Sequence, residues 1–264
     1  MDPLDLHVRA IDDAVLVANG ITVRNLDISA VELENAIVRL DGDYTRGVRY
    51  YVATQVLSLH STDTVLDIGG GRGYFYRWIE DRVRAIHVCD LDTIDGKIVP
   101  TARQHQCSVF DLDVEVLSAC KFYLGHTFEH LQGDDDIRLI RLLGKVMPAH
   151  GVVCIEPLFV GGAYLEVSHS PRRPFDARAQ AVTTVESDFP GNLVRGMGFA
   201  RVYDVRALQE RVLDTVRQAG LRAEVLAIRA NGALLPDPHR YAFKRQALNH
   251  PLRVLRLTAY PESK

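Results

Sequence analysis

The chain is poor in the features that mark several large protein classes. It holds four cysteines in 264 residues, Cys89, Cys107, Cys120 and Cys154, and no two are spaced as C-x-x-C. That argues against a disulfide framework and the common zinc spacings; three of the four sit in or beside apolar runs, as small reduced core residues of a cytosolic protein do. No apolar run approaches the roughly 20 residues a membrane-spanning helix needs. Residues 1–13 are acidic and lack the basic-then-apolar order of a signal peptide, so a cytoplasmic location is expected. The formal net charge of -3 gives no basic bias of the kind that general nucleic-acid binders carry. There is no internal repeat and no low-complexity linker. What remains is ordinary for a globular chain: 47% hydrophobic and 25% charged residues, in a length that suits one large α/β domain with an insertion, or two small domains.

One stretch organises the rest: Thr64-Val65-Leu66-Asp67-Ile68-Gly69-Gly70-Gly71-Arg72-Gly73-Tyr74-Phe75. Val65, Leu66 and Ile68 read as a short buried strand, and Tyr74 to Asp81 as the first turns of a helix. Between them the glycines let backbone approach a ligand closely, at a helix N-terminus suited to a nucleotide-like molecule. The dinucleotide fingerprint requires G-x-G-x-x-G. Here Gly69, Gly71 and Gly73 alternate, and Asp67 stands two residues ahead of them. This Asp-x-Gly-x-Gly-x-Gly pattern resembles motif I of the class I S-adenosylmethionine (SAM)-dependent methyltransferases. The resemblance implies that Asp67 and the backbone of Gly69, Gly71 and Gly73 hold the amino-acid end of SAM. The plain alternative is a strand-to-helix turn of any α/β fold.

Further positions match the same family in order. Ala85 to Asp90 is an apolar run ending in an acid, so Asp90, with Leu91 beside it, falls where a carboxylate accepts from both ribose hydroxyls; Asp92 is its nearby competitor. Ser108 to Asp113 reads as a third strand. There the resemblance gives Asp111 the adenine amino group, with Val109 or Phe110 packing on the ring. Lys121 to His126 reads as a fourth strand, although the family's Phe-Asp pair is replaced by Cys120-Lys121. His126 lies where this strand opens onto the transferred methyl group, and Glu129-His130-Leu131 follows as in small-molecule methyltransferases. The letters His126-Thr127-Phe128-Glu129-His130 also spell H-x-x-E-H, a zinc-protease motif. Zinc would need both histidines on one continuous helix, and a strand with a glycine break precedes them. No metal is therefore expected.

The flanks are less regular. Val15 to Ala18, Asn19-Gly20 and Ile21 to Val23 read as a hairpin on an Asn-Gly turn. Residues 30–41 have helical spacing with Ser29 as N-cap. A polar turn over 41–47 then precedes a helix from about Val48 to His60. Tyr44 and Arg46, in that turn, are substrate candidates or members of a solvated turn. Gln132 to Val146 is an amphipathic helix with acids at its start. A fifth strand, 151–157, ends in Glu156, a further substrate candidate. Between Leu158 and Asp204 the alternation lapses into a polar, glycine- and proline-rich excursion containing His169, Arg172 and Arg173. Such excursions cover ligand crevices or are solvated loops. Val205 to Ala219 is a helix. Arg222–Arg229 and Arg240–Gln246 read as a closing antiparallel pair.

The implied fold is α/β: a doubly wound, mostly parallel seven-stranded sheet with an antiparallel last strand and helices on both faces. The expected divisions are an N-terminal cap over 1–60, a SAM-binding core over 61–157, a substrate-covering insertion over 158–204, and completion of the core over 205–264. The implied reaction is transfer of a methyl group from SAM to a hydroxyl or amine of a polar small molecule, such as a sugar-containing metabolite. His126 and then His169 are the candidate bases; Tyr44, Arg46, Glu129, Glu156 and Arg172 are the candidate acceptor contacts. Neither a nucleic acid nor a membrane is expected as partner, and a homodimer is compatible with the reading. Two rivals stand beside it. A nicotinamide-dependent oxidoreductase is disfavoured by the missing fingerprint glycine and by Asp67. A non-catalytic methyltransferase-like binding module would keep the cofactor positions without turnover.

Overall fold

In a computed structural model, the described residues are 11–71, 73–92, 99–168, 173–183, 198–238, 241–243, 246–248 and 250–260. The strands are β1 (Val23–Ile28), β2 (Thr64–Ile68), β3 (Ala85–Asp90), β4 (Ala102–Gln106), β5 (Lys121–Gly125), β6 (Val152–Glu156), β7 (Leu165–Ser168), β8 (Gln180–Thr183), β9 (Phe199–Val202), β10 (Leu221–Ala230), β11 (Ala233–Leu234), β12 (Tyr241–Phe243), β13 (Gln246–Leu248) and β14 (Arg253–Ala259). The main sheet runs β1-β10-β14-β6-β5-β2-β3-β4, with β11 hooked onto β10. β14 is antiparallel to both its neighbours, and the strands from β6 through β4 are mutually parallel. The order reverses between β2 and β5, the place where open α/β sheets bind ligands at their carboxyl edges.

The central strands are buried on both faces and therefore read as continuous apolar runs. Leu66, Ile68, Phe122, Leu124, Val153 and Ile155 join the core on one side. Val65, Tyr123, Val152 and Cys154 join the core on the other. The first layer is closed by helix Asp135–Val146 and by a helix over 205–218 that carries a π turn at Leu208–Leu213. The second is closed by helices Tyr44–Leu57 and Phe75–Ile79. Among the described residues no helix is long and apolar enough to cross a membrane. All four cysteines are free thiols, and Cys89, Cys120 and Cys154 are buried.

Several local expectations are corrected. Residues 15–23 do not form a hairpin. Asp13–Ala18 is a helix capped by Asp12, Asn19 is its C-cap, and Gly20 at φ +80° follows. A glycine at positive φ serves a helix end as well as a tight hairpin turn. The freed β1 joins the main sheet as its edge, parallel to β10. The next helix does start at Ser29, whose hydroxyl accepts from the Glu32 N–H. The following one starts at Tyr44 rather than Val48, because the Asp43 carboxylate accepts from the Arg46 N–H. The third strand is β4, and Ser108 instead caps a single 3-10 turn over Val109–Asp111. The closing pair is β10 with β14; β12 and β13 form a separate hairpin. The main sheet thus holds nine strands where seven were expected, the additions being β1 and β11.

The stretch after β6 is not loop alone. β7, β8 and β9 make a small sheet, ordered β8-β7-β9, that a buried ionic cluster fastens to the main body. Asp136 accepts from Tyr203 Oη at 2.8 Å and Arg211 Nη2 at 2.6 Å, and it lies 3.0 Å from Arg201 Nη1. Arg201 Nη2 reaches Glu166 Oε1 at 3.0 Å.

Candidate functional site

The carboxyl ends of β2, β3, β5 and β6 bring together residues distant in sequence. Gly69, at φ +74°, leaves β2 beneath Thr127, and a Cβ there would stand 2.2 Å from Thr127 Oγ1. A Cβ on Gly71 would stand 2.7 Å from the Asp90 carboxylate, whose Oδ2 accepts the Gly71 N–H at 2.8 Å. Only glycine permits both the left-handed turn and this close approach. The turn ends at Tyr74, whose N–H donates to Tyr50 Oη at 2.8 Å.

Asp67 is 1% exposed, and its Oδ2 has no hydrogen-bond partner among the described residues. Burial, then the neighbouring Asp90 charge, pushes its carboxyl up to about 8, while Arg49 acts against the shift. Asp90 itself is half-buried and also accepts from the Asp92 N–H at 2.9 Å.

A second cluster lies across the switch point. Glu156 Oε1 accepts from Arg49 Nε at 2.9 Å and from Tyr123 Oη. Burial disfavours the Arg49 charge, but Glu156 and Tyr123 more than offset this and hold its pKa well above the ordinary value. Burial and the Glu156 charge likewise keep the Tyr123 hydroxyl protonated. A Cβ on Gly125 would stand 2.4 Å from Tyr123 Oη, so this glycine makes room for the pair.

His126 follows directly, with φ +52°, its backbone N–H on the Glu156 carbonyl at 2.8 Å. Its Nδ1 lies 2.9 Å from Glu129 Oε1. Glu129 is 2% exposed, and burial pushes its carboxyl up to about 8. Its Oε2 and Glu156 Oε2 are, like Asp67 Oδ2, without a hydrogen-bond partner among the described residues. Among the described residues, three buried carboxyl groups therefore share one guanidinium, that of Arg49, which acts electrostatically on Asp67 and Glu129 and bonds Glu156. Such an imbalance is stabilised by a proton or by a bound cation.

The remaining expected residues are placed as follows. Leu91 is 71% exposed at the end of β3. Phe110 is half-buried under the Arg138 guanidinium, 4.2 Å from its ring centre, and Asp111 is exposed in the same turn. Tyr44 is 47% exposed, and Arg46 lies 4.7 Å from the Tyr74 ring centre. Glu129 and Glu156 sit beneath the surface. His169 and Arg172 lie outside the described residues. His126 and His130 do not share a helix: His130 Nδ1 faces the Phe199 carbonyl at 2.6 Å, and no metal-holding group of His, Cys, Asp or Glu occurs among the described residues. Arg49, Tyr123 and Tyr50 were not anticipated. For Arg49 and Tyr50 a signal is present in Val48-Arg49-Tyr50-Tyr51-Val52-Ala53, an otherwise apolar helical run with one cation; for Tyr123 there is none.

No family model matches the sequence, and no curated protein matches it. Solved structures do. The Burkholderia thailandensis 1,6-didemethyltoxoflavin-N1-methyltransferase, determined with 1,6-didemethyltoxoflavin and S-adenosylhomocysteine, matches with a TM-score of 0.51 at 13% identity, over 93% of this chain and 87% of that one. A chain of the complex between the Haloferax volcanii Trm112 methyltransferase activator and a protein described as a methyltransferase matches with a TM-score of 0.54 at 12% identity, over 88% and 97%. At these identities the likeness concerns architecture alone. The chain therefore has the Rossmann-like fold of the class I SAM-dependent methyltransferases.

Proposed function

We propose that this chain is a SAM-dependent methyltransferase acting on a hydroxyl or amine of a polar small molecule. The observation that carries the reading is the orphaned Asp67 Oδ2, buried beside the glycine turn at the switch point. Asp67 would accept a hydrogen bond from the ligand's ammonium, and the excess of carboxyl groups over Arg49 favours a cationic ligand. Asp90 would take the ribose hydroxyls, and Leu91, Phe110 and Asp111 the adenine. When bound, SAM supplies an activated methyl group on a good leaving group, so the protein mainly positions and shields.

His126 would take the acceptor's proton. If Nδ1–H donates to Glu129 Oε1, the lone pair lies on Nε2, and the buried carboxyl oxygen holds the ring in that tautomer. Glu156, engaged by Arg49 and Tyr123, would position the backbone of His126 through its carbonyl. Tyr44, Arg46, His169 and Arg172 would meet the acceptor, beneath the insertion over 158–204. The polar composition of that insertion supports a hydrophilic acceptor, and the four free thiols support a cytoplasmic setting.

The test is calorimetry of the protein with SAM, S-adenosylhomocysteine and NAD, repeated on Asp67→Asn and Asp90→Ala. Micromolar binding of the two adenosyl ligands alone, lost in both variants, is expected. Binding of NAD in preference would sink the reading.

A further inference from the structure

Toward the amino edge of the main sheet, one face changes character along its strands. Leu226 and Val254 lie in the core on this face. Two residues further along each strand, alternation puts Arg24, Glu224 and Arg256 on the same face, with Arg222 beyond Glu224. Arg222 is level with Thr258, and Thr258 with Val152 at the start of β6. The group therefore stands away from the carboxyl edge that holds Asp67 and Glu156.

Three guanidiniums converge there on one carboxylate. Arg24 Nη1 lies 2.9 Å and Arg222 Nη2 3.4 Å from the same oxygen, Glu224 Oε1, and Arg256 Nη1 lies 3.5 Å from Oε2. Two cations on one oxygen repel each other at close range. No other acid comes within ion-pair distance of the three arginines among the described residues. Three positive charges against one negative leave two uncompensated. The Glu224 side chain is 10% exposed, whereas those of Arg24 and Arg222 are 57% and 51% exposed. The carboxylate thus answers from beneath and leaves the arginines open to a second anion. Among the described residues, β10 pairs with β14 from Leu221 but with β1 only from Val225, so the backbone of 221–224 has an unpaired edge on the β1 side. Thr22, Arg222 and Tyr260 line a cavity of about 190 Å³ there.

We propose that this corner binds a phosphate dianion, free or as a monoester, with Arg24 and Arg222 as charged donors and the 221–224 edge supplying backbone N–H groups. A dianion matches the two uncompensated charges, and a tetrahedral phosphate offers oxygens to both guanidinium forks at once. No residue of the proposed methyl-transfer centre takes part. The experiment is calorimetry of the full chain with inorganic phosphate and with glycerol 1-phosphate, at pH 8 and constant ionic strength, with acetate as the monoanion control. Saturable binding of phosphate is expected, with a midpoint well below that of acetate. A tighter midpoint for glycerol 1-phosphate would identify the ligand as an ester, and an equal or weaker one as phosphate itself. Arg24→Gln and Arg222→Gln, at exposed side chains, should keep the parent melting temperature and each raise the midpoint by about tenfold, the loss of one strong charge-assisted contact. Glu224→Gln should lower it, because the competing carboxylate is gone. Excess S-adenosylhomocysteine should leave it unchanged. A phosphate midpoint equal to that of acetate, one unmoved by both arginine variants, or one raised by S-adenosylhomocysteine would overturn the proposal.

Discussion

Asp67 and Glu129 carry the electrostatic tension of the site. Both carboxyls are pushed up to about 8, chiefly by burial. In the unfolded chain they ionise near pH 4. Between about pH 4 and about pH 8 the folded chain thus holds protons that the unfolded chain has released, and stability falls as pH rises through that window. Asp67→Asn removes one such liability. Its melting temperature at pH 8 should exceed the parent's by about 2–5 °C, the gap closing toward pH 4, in a protein that no longer binds SAM. A parent melting curve flat from pH 5 to pH 8 would contradict this. The exchange of stability for a charged site is a common feature of functional centres. His126 makes a separate case. Its positive φ is tolerated by Asn, so His126→Asn keeps the backbone while removing the proposed base. Single-turnover kinetics should show methyl transfer slowed by about 100-fold or more, with affinity for SAM unchanged. A rate within a few-fold of the parent would assign His126 to packing.

At the scale of elements, the small sheet β7–β9 depends on Asp136. That residue is fully buried and neutralises Arg201 and Arg211, which in turn hold Glu166 and the Gly133 carbonyl. Asp136→Ala would leave two guanidiniums buried with one acid fewer, at a cost of about 3–5 kcal/mol. Urea denaturation measures it, and a loss below about 1 kcal/mol would mean the cluster relaxes into water. The same cluster explains what the sequence concealed. β7 and β9 are buried at every position, yet Glu166 and Arg201 make their sequences read as surface loop. β14 was likewise obscured by Arg253, 1% exposed against Asp13. The central strands were legible because parallel strands covered on both faces advertise themselves as apolar runs. Asp67 and the glycines were legible because only glycine fits that turn. Tyr123 was not, because a buried polar group that pairs with a neighbouring strand, here Glu156, leaves no local pattern.

For the whole molecule, the N-terminal segment is a component of the sheet. β1 covers the edge of ten-residue β10, Leu16 is buried in the core, and Asp13 pairs with Arg253 at 2.7 Å. Deleting residues 1–29 should uncover a long edge and an unpaired buried arginine, giving aggregated or unfolded protein on size-exclusion chromatography. A monodisperse, cooperatively melting product would show that the edge is dispensable. β14 has a further consequence. Among the described residues it is the only bridge between β6 and β10, and β1 pairs with β10 alone. As the chain leaves the ribosome, β2 to β6 can assemble from the carboxyl side of one another, while β1 waits for a partner made some 200 residues later. Until residues 253–259 emerge, the two parts of the sheet are separate bodies with open seams. The nascent protein is therefore most exposed to misassembly just before β14 arrives, and a codon-level pause ahead of it would lengthen that interval.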